Sequence, residues 1–439
     1  MAMPAVIKLV PIPRRLRRAE PNRQRPRIVC LTFGCSSNGK TSSPFAPAST
    51  QPGSPQRTHR GEWSKSFLFF TGFPFPIGPV FERATVRQEV VPGSVWIFDQ
   101  EQSVAGINVA TTVRMTAVKL KGGSLLIYAP IAPTEECINL VKELNAPVEH
   151  IVLSSHAYEH KVFVAPFSRA FPRAQIWHVP GQWSFPLPLP LPLLGIFGSK
   201  PLNEGDSSVP WTDELDFKVL VASLGAAPYC EVALFHKQSR TLLVTDAVVY
   251  ISDTPPEVVD RPRLQRAGSD NLFCKLLFAF DKPQNPQSMA EQESLGWKRN
   301  ALLVSYFSPQ HVRDPVGWPA IGNRLIVSPV TQTLVFSQIP GPTRKWVDRI
   351  TGEWRFERII ACHFNSPIEA GPAEFRKAFT FVYEMENLKS RADNAQRRSR
   401  EEAGLGFTQT YPMEDLKALL SLNSICRKLG VVRKEPLNS

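Results

Sequence analysis

The chain has 439 residues, of which 43% are hydrophobic and 21% are charged, so most of it is expected to fold around a large core. Its formal net charge is +12, but residues 1–60 hold eleven Lys or Arg and a single acid, Glu20, and so carry +10 of that charge. The remaining residues are close to neutral and show no basic stripe, which excludes nucleic-acid binding as the main function.

Residues 1–60 are rich in Arg, Ser and Pro, are nearly free of acids and lack a secretory apolar core. This composition predicts a disordered plastid transit peptide and therefore a chloroplast location, with a disordered basic tail as the alternative. The seven cysteines are scattered without a C-x-x-C pair, which argues against a disulfide framework and against a Cys-based zinc site.

Two apolar stretches are too short or too proline-rich to cross a membrane. Phe67–Phe81, in an apolar segment at 61–84, is interrupted by prolines, and Pro186–Leu194 alternates Pro with Leu. Both stretches are expected to cover the core. The alternative is a peripheral contact with a membrane or with an assembly partner.

Strand and helix signals alternate through an expected domain at 85–390. The predicted strands are Thr111–Leu120, Leu125–Pro130, Val148–Leu153, Ala174–Val179, Asp216–Leu224, Glu231–His236, Thr241–Ile251, Ala301–Phe307 and Arg358–Cys362. The predicted helices are Thr134–Leu144, with Thr134 as N-cap, Lys161–Phe171, Asn271–Phe280 and Pro372–Met385. Residues 252–300 are expected to form an insertion or lid, and 391–439 a polar helical tail. The alternation predicts an α/β fold, a mixed sheet with helices outside.

Three of these strands end in side chains that can bind a metal. His156, Glu159 and His160 follow the strand at 148–153, Asp246 follows the apolar run from Thr241, and His363 follows Cys362. An α/β scaffold presents functional groups at the carboxyl ends of its strands. Two of these histidines together with the two acids are a suitable ligand set for one zinc, iron or manganese ion.

These three strand ends, in this order, resemble the metallo-β-lactamase superfamily. Over residues 85–390 the chain is similar to a plant and cyanobacterial domain family of unknown function that is distantly related to that superfamily. The resemblance implies a four-layer αββα sandwich. It places the signature H-x-H-x-D-H on Ser155, Ala157, Glu159 and His160, so the first two histidines are missing. A further histidine, expected near Ser223–Pro228, is missing as well.

Two classes of function follow. The first hypothesis is a binding or structural module on a metallo-hydrolase-like fold without the binuclear metal site, with an unknown small molecule or protein as partner. The second is a single-metal hydrolase of an ester, thioester or phosphoester, with Glu159, His160, Asp246 and His363 as ligands and His156 as a catalytic proton shuttle. Each ligand also has a structural alternative: His160 can cap its helix, Asp246 can accept from loop amides, and His363 can order its own loop.

Overall fold

The structure is a computed structural model that describes residues 63–68, 77–104, 109–182, 189–225, 228–269, 288–307, 315–385, 411–430 and 432. All of these residues belong to one compact unit, residues 52–439. The predicted transit peptide, the predicted helix Asn271–Phe280 and the first part of the predicted tail lie outside the described residues.

The described residues form both strands and helices. In chain order the strands are β1 (Ile77–Gly78), β2 (Thr85–Val91), β3 (Val95–Val104), β4 (Ala110–Lys119), β5 (Leu125–Tyr128), β6 (Val148–Leu153), β7 (Gln175–His178), β8 (Lys200–Pro201), β9 (Leu215–Ser223), β10 (Pro228–His236), β11 (Thr241–Val244), β12 (Val249–Tyr250), β13 (Leu325–Ile326), β14 (Arg358–Ala361) and β15 (Ile368–Glu369). The helices are α1 (Glu135–Lys142), α2 (Tyr158–Lys161), α3 (Val164–Ala170), α4 (Arg261–Gly268), α5 (Met289–Tyr306), α6 (Trp318–Ile321), α7 (Pro329–Thr331), α8 (Pro340–Glu353), α9 (Pro372–Ala378) and α10 (Met413–Lys428).

Most of these strands form two mixed sheets. The N-terminal sheet has the order β1-β3-β4-β5-β6-β7-β8, with β2 also paired to β3. Its first strands are antiparallel, and from β5 to β8 the neighbours are parallel. The C-terminal sheet has the order β15-β14-β11-β10-β9, in which β11 and β14 are parallel. The ends of β6, β11 and β14 are the three strand ends singled out in the sequence.

The two sheets pack face to face, with helices on both outer faces. Alternate residues of β5 show the layering: Leu125 and Ile127 pack with α1 and α3, whereas Leu126 and Tyr128 face the other sheet. In the C-terminal sheet Leu243 faces inward, and its neighbours on β11 pack against α8 and α9. This period-two alternation of buried side chains gives each sheet two apolar faces. The expected αββα sandwich is confirmed.

Several predicted elements have different bounds in the structure. Thr134 caps α1 as predicted, because its Oγ1 accepts a hydrogen bond from the Cys137 N–H at 3.1 Å. The predicted helix Lys161–Phe171 is divided into α2 and α3, and the predicted strand Thr241–Ile251 is interrupted by a bend at 245–247.

The predicted strand Ala301–Phe307 is wrong, because these residues form the end of the long helix α5. A capping box begins that helix: Ser288 Oγ accepts from the Glu291 N–H, and the Glu291 carboxylate accepts from the Ser288 N–H. Backbones of α4 and α5 also approach closely, since a Cβ at Gly296 would lie 1.9 Å from the Leu264 carbonyl oxygen. The region predicted as an insertion or lid therefore contributes a packed helix pair.

Exposed apolar side chains occur in both apolar stretches: Leu68 and Phe81 in the first, Leu193 in the second. In the described parts of the chain, every helix is too short or too polar to cross a lipid bilayer.

Candidate metal centre

The loop that follows β6 joins the two sheets. Ser154 O accepts from the Val232 N–H at 2.8 Å, and Ser155 forms a bridge with Glu231 on β10. The chain then enters α2, whose first turn carries Glu159 and His160. A strand end of the N-terminal sheet is thus fixed beside the C-terminal sheet.

Glu159, His160, Asp246 and His363 lie together at this junction. One potential ligand atom from each lies within 4.8 Å of all the others. His160 Nε2 is 3.1 Å from His363 Nε2, and Asp246 Oδ1 is 3.7 Å from the former and 3.2 Å from the latter. Among the described residues, this is the single group of three or more such side chains placed closely enough to hold an ion. The four predicted ligands are therefore brought together.

The spacing of these atoms fits one metal ion. Nitrogen and oxygen ligands about 2.0–2.2 Å from a tetrahedral zinc ion lie about 3.3–3.6 Å from one another. The three separations among His160, Asp246 and His363, which run from 3.1 to 3.7 Å, come within about 0.2 Å of that range. The side chain of His160 is fully buried, and those of Asp246 and His363 are 14% and 12% exposed, so the site is largely shielded but has an open side.

His363 is oriented by a contact with the other sheet. Its Nδ1 donates to the carbonyl oxygen of Thr112 on β4 at 2.7 Å, which directs Nε2 toward the cluster. A hydrogen bond of this kind fixes the tautomer and ring position of a metal-binding histidine. His160 departs from this pattern, because its buried Nδ1 has no hydrogen-bond partner in the described structure.

Arg114 holds the backbone around His363. Its guanidinium donates to the carbonyl oxygens of Ala361 and Phe364, at 2.7 and 2.8 Å, and pairs with Asp99 at 2.7 Å. Phe364 adopts a left-handed backbone conformation with φ of 56°, an uncommon state for a bulky residue. The buried arginine thus stabilises the tight turn that presents His363.

Glu231 supports the bend that presents Asp246. Its Oε1 accepts from the Thr245 N–H at 2.7 Å and from the Ala247 N–H at 3.4 Å, while its Oε2 accepts from the Tyr229 hydroxyl at 2.6 Å. Tyr128, which donates to the Val232 carbonyl oxygen, also contacts the Thr245 hydroxyl at 2.8 Å. The amides on both sides of Asp246 are therefore fixed by one buried carboxylate.

Electrostatics at the cluster favour a cation. Burial opposes ionisation of Asp246, but hydrogen bonds from His160 and His363 outweigh it and hold its pKa well below the usual range. Burial likewise opposes charge on His363, yet the hydrogen bond and the charge of Asp246 raise the pKa of that imidazole. Burial, reinforced by the charge of Asp246, raises the pKa of Glu231 to about 7. Without a metal, a proton on His363 Nε2 would carry the positive charge that this environment favours.

His156 lies next to the cluster but outside it. Its Nδ1 accepts from the Cys230 N–H at 3.3 Å, and its ring meets Tyr229 edge-on. Burial, followed by the charge of Lys161, lowers the pKa of His156. Because Nδ1 accepts a hydrogen bond, the proton of the neutral ring lies on Nε2. A proton held there suits the predicted shuttle, and the catalytic role of His156 stays a prediction.

Sequence reasoning missed the residues that support these ligands. Arg114 interrupts the largely apolar strand β4 and Glu231 stands in the apolar run of β10, whereas Asp99 begins the polar half of β3. A charge inside an apolar strand is costly unless it is paired, so Arg114 and Glu231 carried a usable signal. The carbonyl oxygen of Thr112 gave no signal in the sequence, because every residue has a backbone carbonyl oxygen.

An αββα sandwich with His and carboxylate side chains at its strand ends defines the class of protein: a four-layer α/β protein with a candidate metal centre. The chain belongs to the domain family described as a domain of unknown function (DUF4336), whose model matches residues 92–321 and 315–381. This match confirms the expected family. Among curated proteins, no sequence matches the chain.

Solved structures with low overall similarity include metallo-β-lactamases and flavodiiron proteins. A metallo-β-lactamase from Pontibacter korlensis is 10% identical with a TM-score of 0.34, and the match covers 68% of this chain and 99% of that one. A flavodiiron core from Synechocystis is 8% identical with a TM-score of 0.39, covering 69% and 62%. Rubredoxin oxygen:oxidoreductase from Desulfovibrio gigas is 8% identical with a TM-score of 0.38, covering 68% and 62%. Because these TM-scores lie below 0.5, the αββα assignment rests on the layers described above.

Proposed function

We propose that the protein is a single-metal hydrolase in which Glu159, His160, Asp246 and His363 hold one zinc, iron or manganese ion. The observation that carries the proposal is the approach of these four side chains from the ends of three strands in two sheets. An ion held there would supply a Lewis acid and lower the pKa of a water molecule, which suits hydrolysis of an ester, thioester or phosphoester.

The residues around the ion have separate tasks. Thr112 and Arg114 orient His363, Glu231 orients the Asp246 bend, and His156 holds a proton at Nε2 that a leaving group can accept. The signature positions Ser155 and Ala157 offer no imidazole: the Ser155 hydroxyl accepts from the Ala157 N–H instead. This supports one metal site rather than two.

The experiment is elemental mass spectrometry of the full chain purified without chelators. We expect about one ion per chain in the wild type and less than about a tenth of that in His363→Ala and Asp246→Ala. His178→Ala, which removes a histidine outside the cluster, should keep the ion. A chain that folds with no bound metal and gains none from zinc, iron or manganese salts would refute the proposal.

One observation favours a second candidate, a binding module without metal. His160, His363 and Asp246 already contact one another through hydrogen bonds, so the cluster has internal partners in the absence of an ion. This candidate predicts that His363→Ala lowers stability while chelators leave the wild type unchanged. Thermal unfolding with and without a chelator separates the two candidates.

We further propose that the protein acts in the chloroplast, on the strength of the composition of residues 1–60. A fluorescent protein fused after residue 60 should enter plastids in plant cells. A fusion in which the arginines at 14, 15, 17 and 18 are changed to glutamate should stay outside them. Equal distribution of both fusions would contradict the plastid address.

A further inference from the structure

A rigid turn beside α3 presents large apolar side chains to solvent. Leu193 and Phe197 are 72% and 70% exposed, and Leu189 is 36% exposed. Leu191 and Ile196 of the same turn are buried, and they pack with residues of α3 in the core between the N-terminal sheet and its helices. These exposed side chains are therefore held outward by the fold.

Contacts on both sides fix the turn. Gly195, with φ of 76°, ends the 3₁₀ turn at Leu191–Leu194, and a Cβ there would touch the Ala165 side chain at 3.4 Å. Gln175 Nε2 donates to the Gly198 carbonyl oxygen at 2.8 Å. A cleft of about 390 Å³, lined by the turn together with His178 and Gln182, opens beside it.

Basic side chains lie in and next to the elements that contact the turn, and acids are absent from this part of the sequence. No Asp or Glu occurs between Glu159 and Glu204. Arg169 at the end of α3, Arg173 before β7 and Lys200 on β8 are all exposed. In the described structure none of these three forms an ion pair within 4 Å, although Lys200 lies over the ring of Trp177.

We infer that Leu189, Leu193 and Phe197, with Arg169, Arg173 and Lys200 around them, dock the protein onto the surface of an anionic lipid membrane. Apolar side chains that enter the interface, next to basic side chains that meet acidic headgroups, are the two attractions that peripheral membrane proteins combine. Pro190 and Pro192 carry no backbone N–H, so this segment brings fewer unpaired hydrogen-bond donors into the lipid interface. For the same reason it cannot form all the backbone hydrogen bonds of a strand added to the sheet of a partner protein. Charge and backbone chemistry together favour a lipid surface over a protein strand.

Vesicle co-sedimentation of the full chain tests the inference. Vesicles of phosphatidylcholine alone are compared with vesicles that contain about one third phosphatidylglycerol. The variant Leu193→Ser/Phe197→Ser should bind both kinds at least about tenfold more weakly than the wild type. Arg169→Gln/Arg173→Gln should lose about tenfold on the anionic vesicles and remain unchanged on the neutral ones.

A matched control removes equally exposed apolar side chains elsewhere. Met289 and Leu429 are 69% and 72% exposed, so Met289→Ser/Leu429→Ser should bind like the wild type. Residues 1–60, with their charge of +10, are present in every variant, so their attraction to anionic lipid is common to all of them. Thermal unfolding of each variant confirms that the fold is retained.

Two results would overturn the inference. Equal binding of Leu193→Ser/Phe197→Ser and the wild type would assign the attraction to residues 1–60. The second result is that the wild type binds neither kind of vesicle but associates with itself, and that Leu193→Ser/Phe197→Ser abolishes this self-association. That result would assign the surface to a second copy of the chain. Neither result depends on the metal content of the protein.

Discussion

Arg114 donates a 2.8 Å hydrogen bond to the carbonyl oxygen of Phe364, the residue that follows His363, although the two lie 250 positions apart in the chain. The same guanidinium pairs with Asp99 on the neighbouring strand. A buried ion pair therefore orders the turn at His363. The position of this candidate ligand depends on Arg114 and Asp99, which do not belong to the cluster.

Replacing Arg114 should damage both the fold and the site. Arg114→Met leaves the Asp99 carboxylate and two backbone carbonyl oxygens without their donor, and we expect a loss of about 3–5 kcal/mol in the free energy of unfolding. Urea denaturation measures the loss. Arg114→Met/Asp99→Asn, which removes the orphaned charge, should recover part of it. An Arg114→Met chain as stable as the wild type would show that the pair does not support the turn.

Two substitutions of Glu231 should lower the free energy of unfolding by different amounts. Glu231→Ala removes the acceptor of the Thr245 N–H, the Ala247 N–H and the Tyr229 hydroxyl, so it should cost about 3 kcal/mol or more of unfolding free energy. Glu231→Gln keeps one amide oxygen for the backbone and should cost roughly 1 kcal/mol. Zinc titration of both variants should show weaker binding for Glu231→Ala, because the Asp246 bend is less fixed. A loss for Glu231→Gln as large as that for Glu231→Ala would contradict this prediction, because it would mean that an amide oxygen cannot replace the carboxylate as acceptor of the backbone N–H groups.

Acid should destabilise the protein through the buried imidazole of His236. Burial lowers the pKa of His236, whose Nδ1 contacts the Ser239 hydroxyl at 2.7 Å. Below the ordinary value of 6.5 the unfolded chain takes up a proton before the native one does, so this contribution to stability is present at higher pH and is lost as the pH falls through that region. His236→Gln should make the free energy of unfolding less dependent on pH between about 5 and 7. An unchanged slope would exclude His236 as a contributor.

Two glycines give opposite predictions for the same substitution. Gly296→Ala would push a Cβ to 1.9 Å from the Leu264 carbonyl oxygen, and separating α4 from α5 should cost about 1–3 kcal/mol. Gly352 lies in α8 with nothing within 4 Å of a Cβ, so Gly352→Ala should raise stability by about 0.5–1 kcal/mol. Thermal unfolding of both variants checks the pair. Stabilisation by both would show that α4 and α5 do not pack as closely as described.

The sequence is more informative about the four candidate ligands than about the residues that support them. Glu159, His160, Asp246 and His363 stand where apolar strands end, and that local pattern is visible in one chain. The partners of those residues are not local: Arg114 reaches the turn of His363 across two sheets, and the pairing of Ser155 with Glu231 depends on the packing of those sheets. No periodicity in a single sequence encodes such a contact.

The incorrect prediction of a strand at Ala301–Phe307 has a similar cause. Ala301-Leu-Leu-Val304 is a short apolar run, and periodicity does not distinguish a buried helix end from a strand. The capping box at Ser288 and the close contact of Gly296 with α4 favour a helix, and both lie before this apolar run in the chain. The helix start signal at Ser288 was available in the sequence, whereas the contact between α4 and α5 was not.

His160 and His363 lie 203 positions apart in the chain, and this separation also constrains when the candidate metal centre can form during synthesis. His160 emerges from the ribosome early, but His363 follows β14, which pairs in parallel with β11 and lies between β11 and β15. The growing chain has no complete ligand set until that late strand has joined its sheet. An ion that requires all four side chains can therefore be held only after β14 has joined its sheet.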